Sequence, residues 1–196
     1  MRGVRFKVVV IGDSGVGKTT IVKRFLGEPF SEIYIKTLGV DFYSKSEIYN
    51  FKGVGVVKIF WDIHDFGGQP NFSSIRRLAY FGAHAGIVVF DVSNVQSFKN
   101  LKYWLEEFVT FCGVRPILLV GNKIDLREKV ITLSPKVGEK FANMLSESFG
   151  IEVPYLETSA KLGINVNKAF KMLAKSLFSF KITRELILRE MRANKS

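Results

Sequence analysis

Two rhythms of apolar and polar positions alternate along this chain. Short runs rich in β-branched and aromatic residues, at 4–11, 38–49, 55–64, 86–92, 116–121 and 153–158, have the length and composition of strands. Between them, apolar residues recur three and four positions apart and predict helices over 18–27, 73–80, 96–111, 134–148 and 165–190. The stretch 96–111 shows the pattern well. Phe98, Leu101, Leu105, Phe108 and Val109 share one face, while Lys99, Lys102 and Glu106 lie elsewhere. Ser134-Pro135 reads as an N-cap followed by proline in the first helical turn. The second and third strands follow one another without a helix, so they form a hairpin turning near Lys52-Gly53. Strand–helix alternation elsewhere predicts an α/β fold: a mostly parallel sheet of six strands, one antiparallel edge strand, and helices on both faces. No repeat or linker divides it. Ligands of such sheets gather beyond the carboxyl ends of the strands.

Candidate chemistry lies in those loops. After the apolar run Val8–Ile11 comes Gly12-Asp13-Ser14-Gly15-Val16-Gly17-Lys18-Thr19, which leads with Thr20 into a helix. Strand, glycine-rich turn and helix is the context in which G-x-x-x-x-G-K-[ST] cradles phosphate. The glycines let successive N–H groups curl round phosphate oxygens, and the helix N-terminus adds its positive end. Lys18 is expected to reach the β- and γ-phosphates and the Thr19 hydroxyl to ligate the Mg²⁺ between them. Four further motifs fall in loops: Thr37 within Tyr34–Phe42, Asp65-Phe66-Gly67-Gly68-Gln69, Asn122-Lys123-Ile124-Asp125, and Glu157-Thr158-Ser159-Ala160-Lys161.

Composition narrows the class. At 196 residues, 47% hydrophobic and 13% aromatic, the chain suits one packed domain. Cys112 is the sole cysteine, which excludes a disulfide framework and suits a reducing compartment. The N-terminus runs directly into the first strand, and no uncharged apolar run approaches the roughly 18 residues that span a bilayer. A cytoplasmic protein is expected. The excess of 29 Lys+Arg over 18 Asp+Glu, a net charge of +11, attracts acidic partners in general. No metal-binding Cys/His spacing or aromatic RNA-reading motif singles out nucleic acid.

With these motifs in order, the chain resembles a small GTPase of the Ras superfamily, and GDSGVGKTT, TLGVDF, FDVSN and WLEEF place the resemblance nearest the Rab branch. It covers roughly residues 5–180 and implies the P-loop GTPase fold, with residues 1–181 as the nucleotide-binding domain and 182–196 as a helical extension or tail. It implies GTP and GDP as ligands, Mg²⁺ as cofactor and hydrolysis of GTP to GDP and phosphate. Such a protein works as a monomeric switch in intracellular trafficking, with an effector, an exchange factor and an activating protein as partners. Ser14, Gly15, Val16, Gly17, Lys18, Thr19 and Thr20 would hold the phosphates. Asn122, Lys123, Asp125, Ser159, Ala160 and Lys161 would hold guanine. The Asp125 carboxylate can accept from the ring N–H and the exocyclic amine together, and the Ala160 N–H would meet the guanine oxygen. Buried polar pairing of this kind discriminates well. Phe30 stands where the family places an aromatic against the base edge, a core phenylalanine being the other reading. Thr37 would ligate Mg²⁺ and meet the γ-phosphate, Asp65 would hold Mg²⁺ through water, the Gly68 N–H would meet the γ-phosphate, and Gln69 would orient the attacking water. Asp65-Phe66-Gly67 also matches a kinase triplet, but no His-Arg-Asp loop accompanies it.

Departures from the family pattern matter. Phe66-Gly67 replaces the usual Thr-Ala. Pro70 restricts Gln69 toward extended backbone, and so either pre-positions its side chain or misplaces it. In the second case the protein would be a non-hydrolysing, nucleotide-bound scaffold. No arginine occurs between Arg24 and Arg76. Hydrolysis is therefore expected to be slow without a partner, with Arg76 and Arg77 as internal candidates and a solvated basic helix face as their plainer reading. The chain ends Arg192-Ala193-Asn194-Lys195-Ser196 without a prenylation cysteine. The basic amphipathic tail beyond 182 either touches an anionic membrane or partner groove or, the favoured reading, covers its own domain.

Overall fold

The computed structural model describes residues 2–31, 37, 39–68 and 73–193. The chain runs β1 (Arg2–Ile11), α1 (Lys18–Leu26), β2 (Val40–Phe51), β3 (Gly55–Phe66), α2 (Ser73–Tyr80), β4 (Ala85–Asp91), α3 (Val95–Lys99), α4 (Leu101–Cys112), β5 (Ile117–Asn122), α5 (Pro135–Phe149), β6 (Tyr155–Thr158) and α6 (Val166–Ala193). The strands form one sheet in the order β2-β3-β1-β4-β5-β6. Among these strands the β2–β3 ladder is antiparallel, from Val40↔Phe66 to Phe51↔Gly55, and the β1–β3, β1–β4, β4–β5 and β5–β6 ladders are parallel. The expected α/β architecture with one antiparallel edge strand is the one observed.

Two apolar layers follow from strand parity, since neighbouring side chains on a strand point to opposite faces. Phe6, Val8 and Val10 of β1 join Ile59, Trp61 and Ile63 of β3 under α1 and α6. Val9 and Ile11 join Val88 and Phe90 of β4 under α2, α4 and α5. Trp61 is fully buried and meets Phe25 of α1 and Phe170 of α6 edge-on, while those two rings stack at 3.6 Å. Each such pair adds about 0.5–1.5 kcal/mol beyond its buried area. This anchors α1, and with it the turn ahead of α1, to the sheet.

Several expected boundaries move for local reasons. The helix expected over 96–111 is two helices meeting at Asn100, which ends α3 and begins α4. The strand expected from 153 starts at Tyr155. Pro154 has no N–H to give to a ladder, although its carbonyl accepts from the Leu119 N–H at 3.0 Å. α6 runs unbroken past residue 182 to Ala193, 28 residues or about 42 Å of helix. Its described contacts with the core end at Leu177 and Phe178, and the side chains of the tail that decide between the two readings lie outside the described residues. Among the described residues no helix is long and apolar enough to cross a membrane.

Candidate functional site

At the carboxyl ends of β1, β3, β4 and β5 lies a cavity of about 320 Å³, lined by the β1–α1 turn together with Phe30, Thr37, Gly68 and Lys123. Gly17 is the residue that lets the turn close. It adopts φ +97°, a left-handed conformation, and a Cβ there would stand 2.3 Å from Asn122 Nδ2. Asn122 is the hub. Its Nδ2 donates to the Val16 carbonyl at 2.9 Å, and its Oδ1 accepts from Thr158 Oγ1 at 3.0 Å and from the Ala160 N–H at 3.1 Å. One 99% buried amide thus joins the first turn to the loops after β5 and β6.

Around that hub the expected base-side residues are drawn together. The Ser159 hydroxyl donates to Asp125 Oδ1 at 2.5 Å, and Asp125 sits in the one-turn 3-10 helix Ile124–Leu126. Lys123, at φ 69°, pairs its ammonium with Asp91 Oδ2 at 2.7 Å, so its stem lies along the cavity wall. The Lys161 ammonium stands 5.5 Å from the centre of the Phe30 ring. Phe30 is half-buried on the cavity wall and is absent from both core clusters. One expectation changes. The Ala160 N–H, assigned to a base oxygen, donates to Asn122, so a base would have to share it.

At the other end, Lys18 is 95% buried and bends over the turn, donating to the carbonyls of Gly12 at 2.9 Å and Asp13 at 2.7 Å. Burial lowers its pKa to about 8, against the opposing pull of the Asp65 and Asp13 charges. The Thr19 hydroxyl lies 2.9 Å from that of Thr37 and donates a short hydrogen bond to Asp65 Oδ2. Burial raises the Asp65 carboxyl to about 6, opposed by the Thr19 hydrogen bond and the Lys18 charge. Its Oδ1 is buried with no hydrogen-bond partner in the protein. Two hydroxyls and a carboxylate with an orphaned oxygen are the all-oxygen donor set that suits a hard divalent cation such as Mg²⁺. The residues present fit the metal. Gly68 packs on the turn so closely that a Cβ there would stand 2.2 Å from the Ser14 nitrogen, and the Gly67 N–H donates to the Gly39 carbonyl at 2.8 Å. Gly68 thus packs on the phosphate turn, and Thr37 reaches Thr19 at the start of α1. Ser14, Gly15 and Thr20 line the same cavity. Gln69 and Pro70 lie outside the described residues.

The reading of Arg76 as part of a solvated basic face is overturned. Arg76 is fully buried, donating from Nε to Glu107 Oε1 at 2.7 Å and from Nη2 to Glu107 Oε2 at 2.8 Å. The acid on α4 neutralises it, so it is spent as a structural cation rather than offered to a phosphate. Arg77, beside it, is exposed as expected. Sequence reasoning also missed Asp91, which fixes Lys123 and whose Oδ1 accepts from the Ser93 N–H and hydroxyl at 2.8 and 2.6 Å. The short Asp91-Val92-Ser93 turn was its only local signal.

The Ras family profile matches residues 7–179. The chain is similar to the Ypt/Rab-type GTPase YPT7 of Saccharomyces cerevisiae, 38% identical over 87% of this chain and 80% of that protein. It is 40% identical to the GTP-binding protein ypt1 of Schizosaccharomyces pombe over 88% of this chain and 79% of the relative. It is 36% identical to the Ras-related protein Rab7 of Drosophila melanogaster over 92% and 84% of the two chains. With its six-stranded sheet, its phosphate turn and these relatives in agreement, the chain belongs to the Ras family as a Rab-like member.

Proposed function

We propose that this protein binds GTP and GDP with Mg²⁺ and hydrolyses GTP to GDP and phosphate, acting as a switch whose loops around Thr37 and Gly68-Gln69 present different surfaces in the two states. One observation carries the reading: Asn122 ties the phosphate turn, whose Lys18 lines the cavity, to the loop after β6, whose Ser159 donates to Asp125. The Asp125 carboxylate accepts from guanine's ring N–H and exocyclic amine, groups that adenine does not offer in that pattern. Lys18 exchanges the neutral Gly12 and Asp13 carbonyls for phosphate oxygens, and its ammonium then meets charge with charge. Thr19, Thr37 and Asp65 would hold the Mg²⁺, which would supply positive charge to offset the β- and γ-phosphates. Gln69 orients the attacking water. With Arg76 committed to Glu107, that arginine is not offered to the transferring phosphate, and an arginine from an activating partner would be worth on the order of 10³–10⁵ in rate. An effector and an exchange factor complete the partner set. Residues 1–181 carry the nucleotide chemistry and 182–196 form a tail.

The test is nucleotide competition followed by a single turnover. Guanine nucleotides should displace bound GDP while ATP does not, and Asp125→Ala should erase that preference. Loaded GTP should turn slowly into GDP and phosphate, more slowly still in Gln69→Leu. Equal binding of ATP would refute the guanine reading. GTP that persists even with an activating protein would refute hydrolysis and leave a nucleotide-bound scaffold.

A further inference from the structure

Asp13 is the one acidic residue in the turn Gly12–Gly17. A carboxylate in a turn that wraps phosphate is a liability, since like charges repel and the acid competes for the same lysine. The fold turns it away. Asp13 Oδ1 accepts from the indole Nε1 of Trp104 at 2.7 Å, and Oδ2 accepts from the Asn100 amide at 2.7 Å, so each oxygen takes a donor from the start of α4. Its backbone carbonyl meanwhile accepts from Lys18. Both donors are themselves held. Gln96 Nε2 donates to Asn100 Oδ1 at 2.8 Å, which turns the Asn100 NH₂ toward Asp13. Trp104 is 98% buried, and the Arg76 guanidinium lies 5.0 Å from the centre of its ring, locked there by Glu107. Arg76 belongs to α2, the helix that follows the loop of Gly68 and Gln69. Asn100 stands between α3 and α4 with its side chain committed to the phosphate turn.

We propose that Asn100 and Trp104 are positioning residues of the nucleotide site, which hold the Asp13 carboxylate out of the phosphate pocket, and that Arg76 stacked on Trp104 ties this hold to the position of α2. The proposal rests on the reading of the cavity as a guanine-nucleotide site. Neither residue lines the cavity. Their effect is electrostatic, through Asp13 onto Lys18 and the phosphates, and it scales with ligand charge. A merely structural role would not do so.

The experiment measures affinity for GDP and for uncharged guanosine by competition against a fluorescent GDP analogue, at low and high salt, with folding of each variant checked by thermal melting. In Trp104→Phe/Asn100→Ala the freed carboxylate should weaken GDP binding by about tenfold, equivalent to ~1.4 kcal/mol, and leave guanosine binding unchanged. High salt should shrink the loss. Adding Asp13→Asn to that double variant should restore GDP affinity to within about twofold of wild type, although it creates no new contact with ligand. Should the double variant fold poorly, Asn100→Ala alone carries the test. Its Asp13 partner is lost at a half-buried position, and a loss of about threefold, again cured by Asp13→Asn, is expected. GDP binding unchanged in these variants, an equal loss for guanosine, or no rescue by Asp13→Asn would each overturn the proposal. Wild-type protein that fails to bind GDP at all would refute the nucleotide-site reading itself.

Discussion

The Arg76–Glu107 pair makes the sharpest stability prediction in the molecule. Arg76 is fully buried and the Glu107 side chain is 9% exposed. Glu107 accepts from Arg76 at 2.7 and 2.8 Å, from the Tyr80 hydroxyl at 2.9 Å and from the Tyr103 hydroxyl at 2.9 Å. Glu107→Ala strips all of these acceptors and leaves a guanidinium uncompensated inside the α2–α4 contact. Breaking one side of a buried pair costs about 3–5 kcal/mol. Tyr103 is 45% exposed and can turn to water, whereas Tyr80 is fully buried and cannot, so the upper half of that range is expected. Glu107→Gln keeps one oxygen and should cost about 1–3 kcal/mol. The joint replacement Arg76→Met with Glu107→Leu removes both charges at similar volume but leaves the buried Tyr80 hydroxyl without its acceptor, so it should cost about 1–3 kcal/mol, less than Glu107→Ala. Urea unfolding at one saturating nucleotide concentration gives the comparison, because bound ligand otherwise adds its own stabilisation. Burial favours the neutral acid, but the hydrogen bonds from Arg76, Tyr80 and Tyr103 and the Arg76 charge outweigh it and hold the Glu107 pKa below its ordinary value. Its contribution is therefore present above the usual glutamate range and is lost as pH falls below it, a dependence that Glu107→Gln should remove. A Glu107→Ala cost under about 1 kcal/mol, or a joint variant worse than that single one, would refute the argument.

Three further outcomes are expected. Gly138→Ala in α5 should destabilise by about 1–3 kcal/mol despite the roughly 1 kcal/mol that alanine gains in a helix, because its Cβ would stand 2.2 Å from the Tyr155 ring; thermal melting that moves upward would contradict this. Gly17→Ala should cost about 2 kcal/mol or more through its left-handed backbone and the broken Asn122–Val16 bond, and should empty the site of copurified nucleotide, as chromatography of the denatured supernatant would read. His84 Nδ1 accepts the Lys7 N–H at 2.9 Å, and burial, followed by the Arg115 charge, lowers its pKa from the usual 6.5. Protonation destroys that acceptor, so the stability it contributes is present above 6.5 and is lost as pH falls toward the lowered value; Tm compared at neutral and mildly acid pH should drop less in His84→Asn, and identical slopes would contradict the assignment.

What the sequence determined by itself is whatever neighbouring residues decide among themselves. The unbroken apolar run Val8–Ile11, buried on both faces, and the helical spacing in 18–27 specify their elements because each needs only the local pattern. Glycines at fixed offsets before Lys18 specify the phosphate turn because its conformation is a local matter of allowed backbone angles. Asn122 and Asp125, in one short loop, were legible as a pair through the resemblance to small GTPases. Tertiary structure decided the partners of the charged and polar groups. Arg76 and Arg77 are adjacent and alike in sequence, yet one is a buried cation and the other faces water, because only the docking of α2 on α4 brings Glu107 to the first. Likewise nothing near residue 100 in the sequence announces that the Asn100 amide will donate to Asp13, a carboxylate distant in the chain. Periodicity records how much of an element is buried. It holds no record of which opposite charge the fold will set against it, since that pairing exists only once the layers have packed.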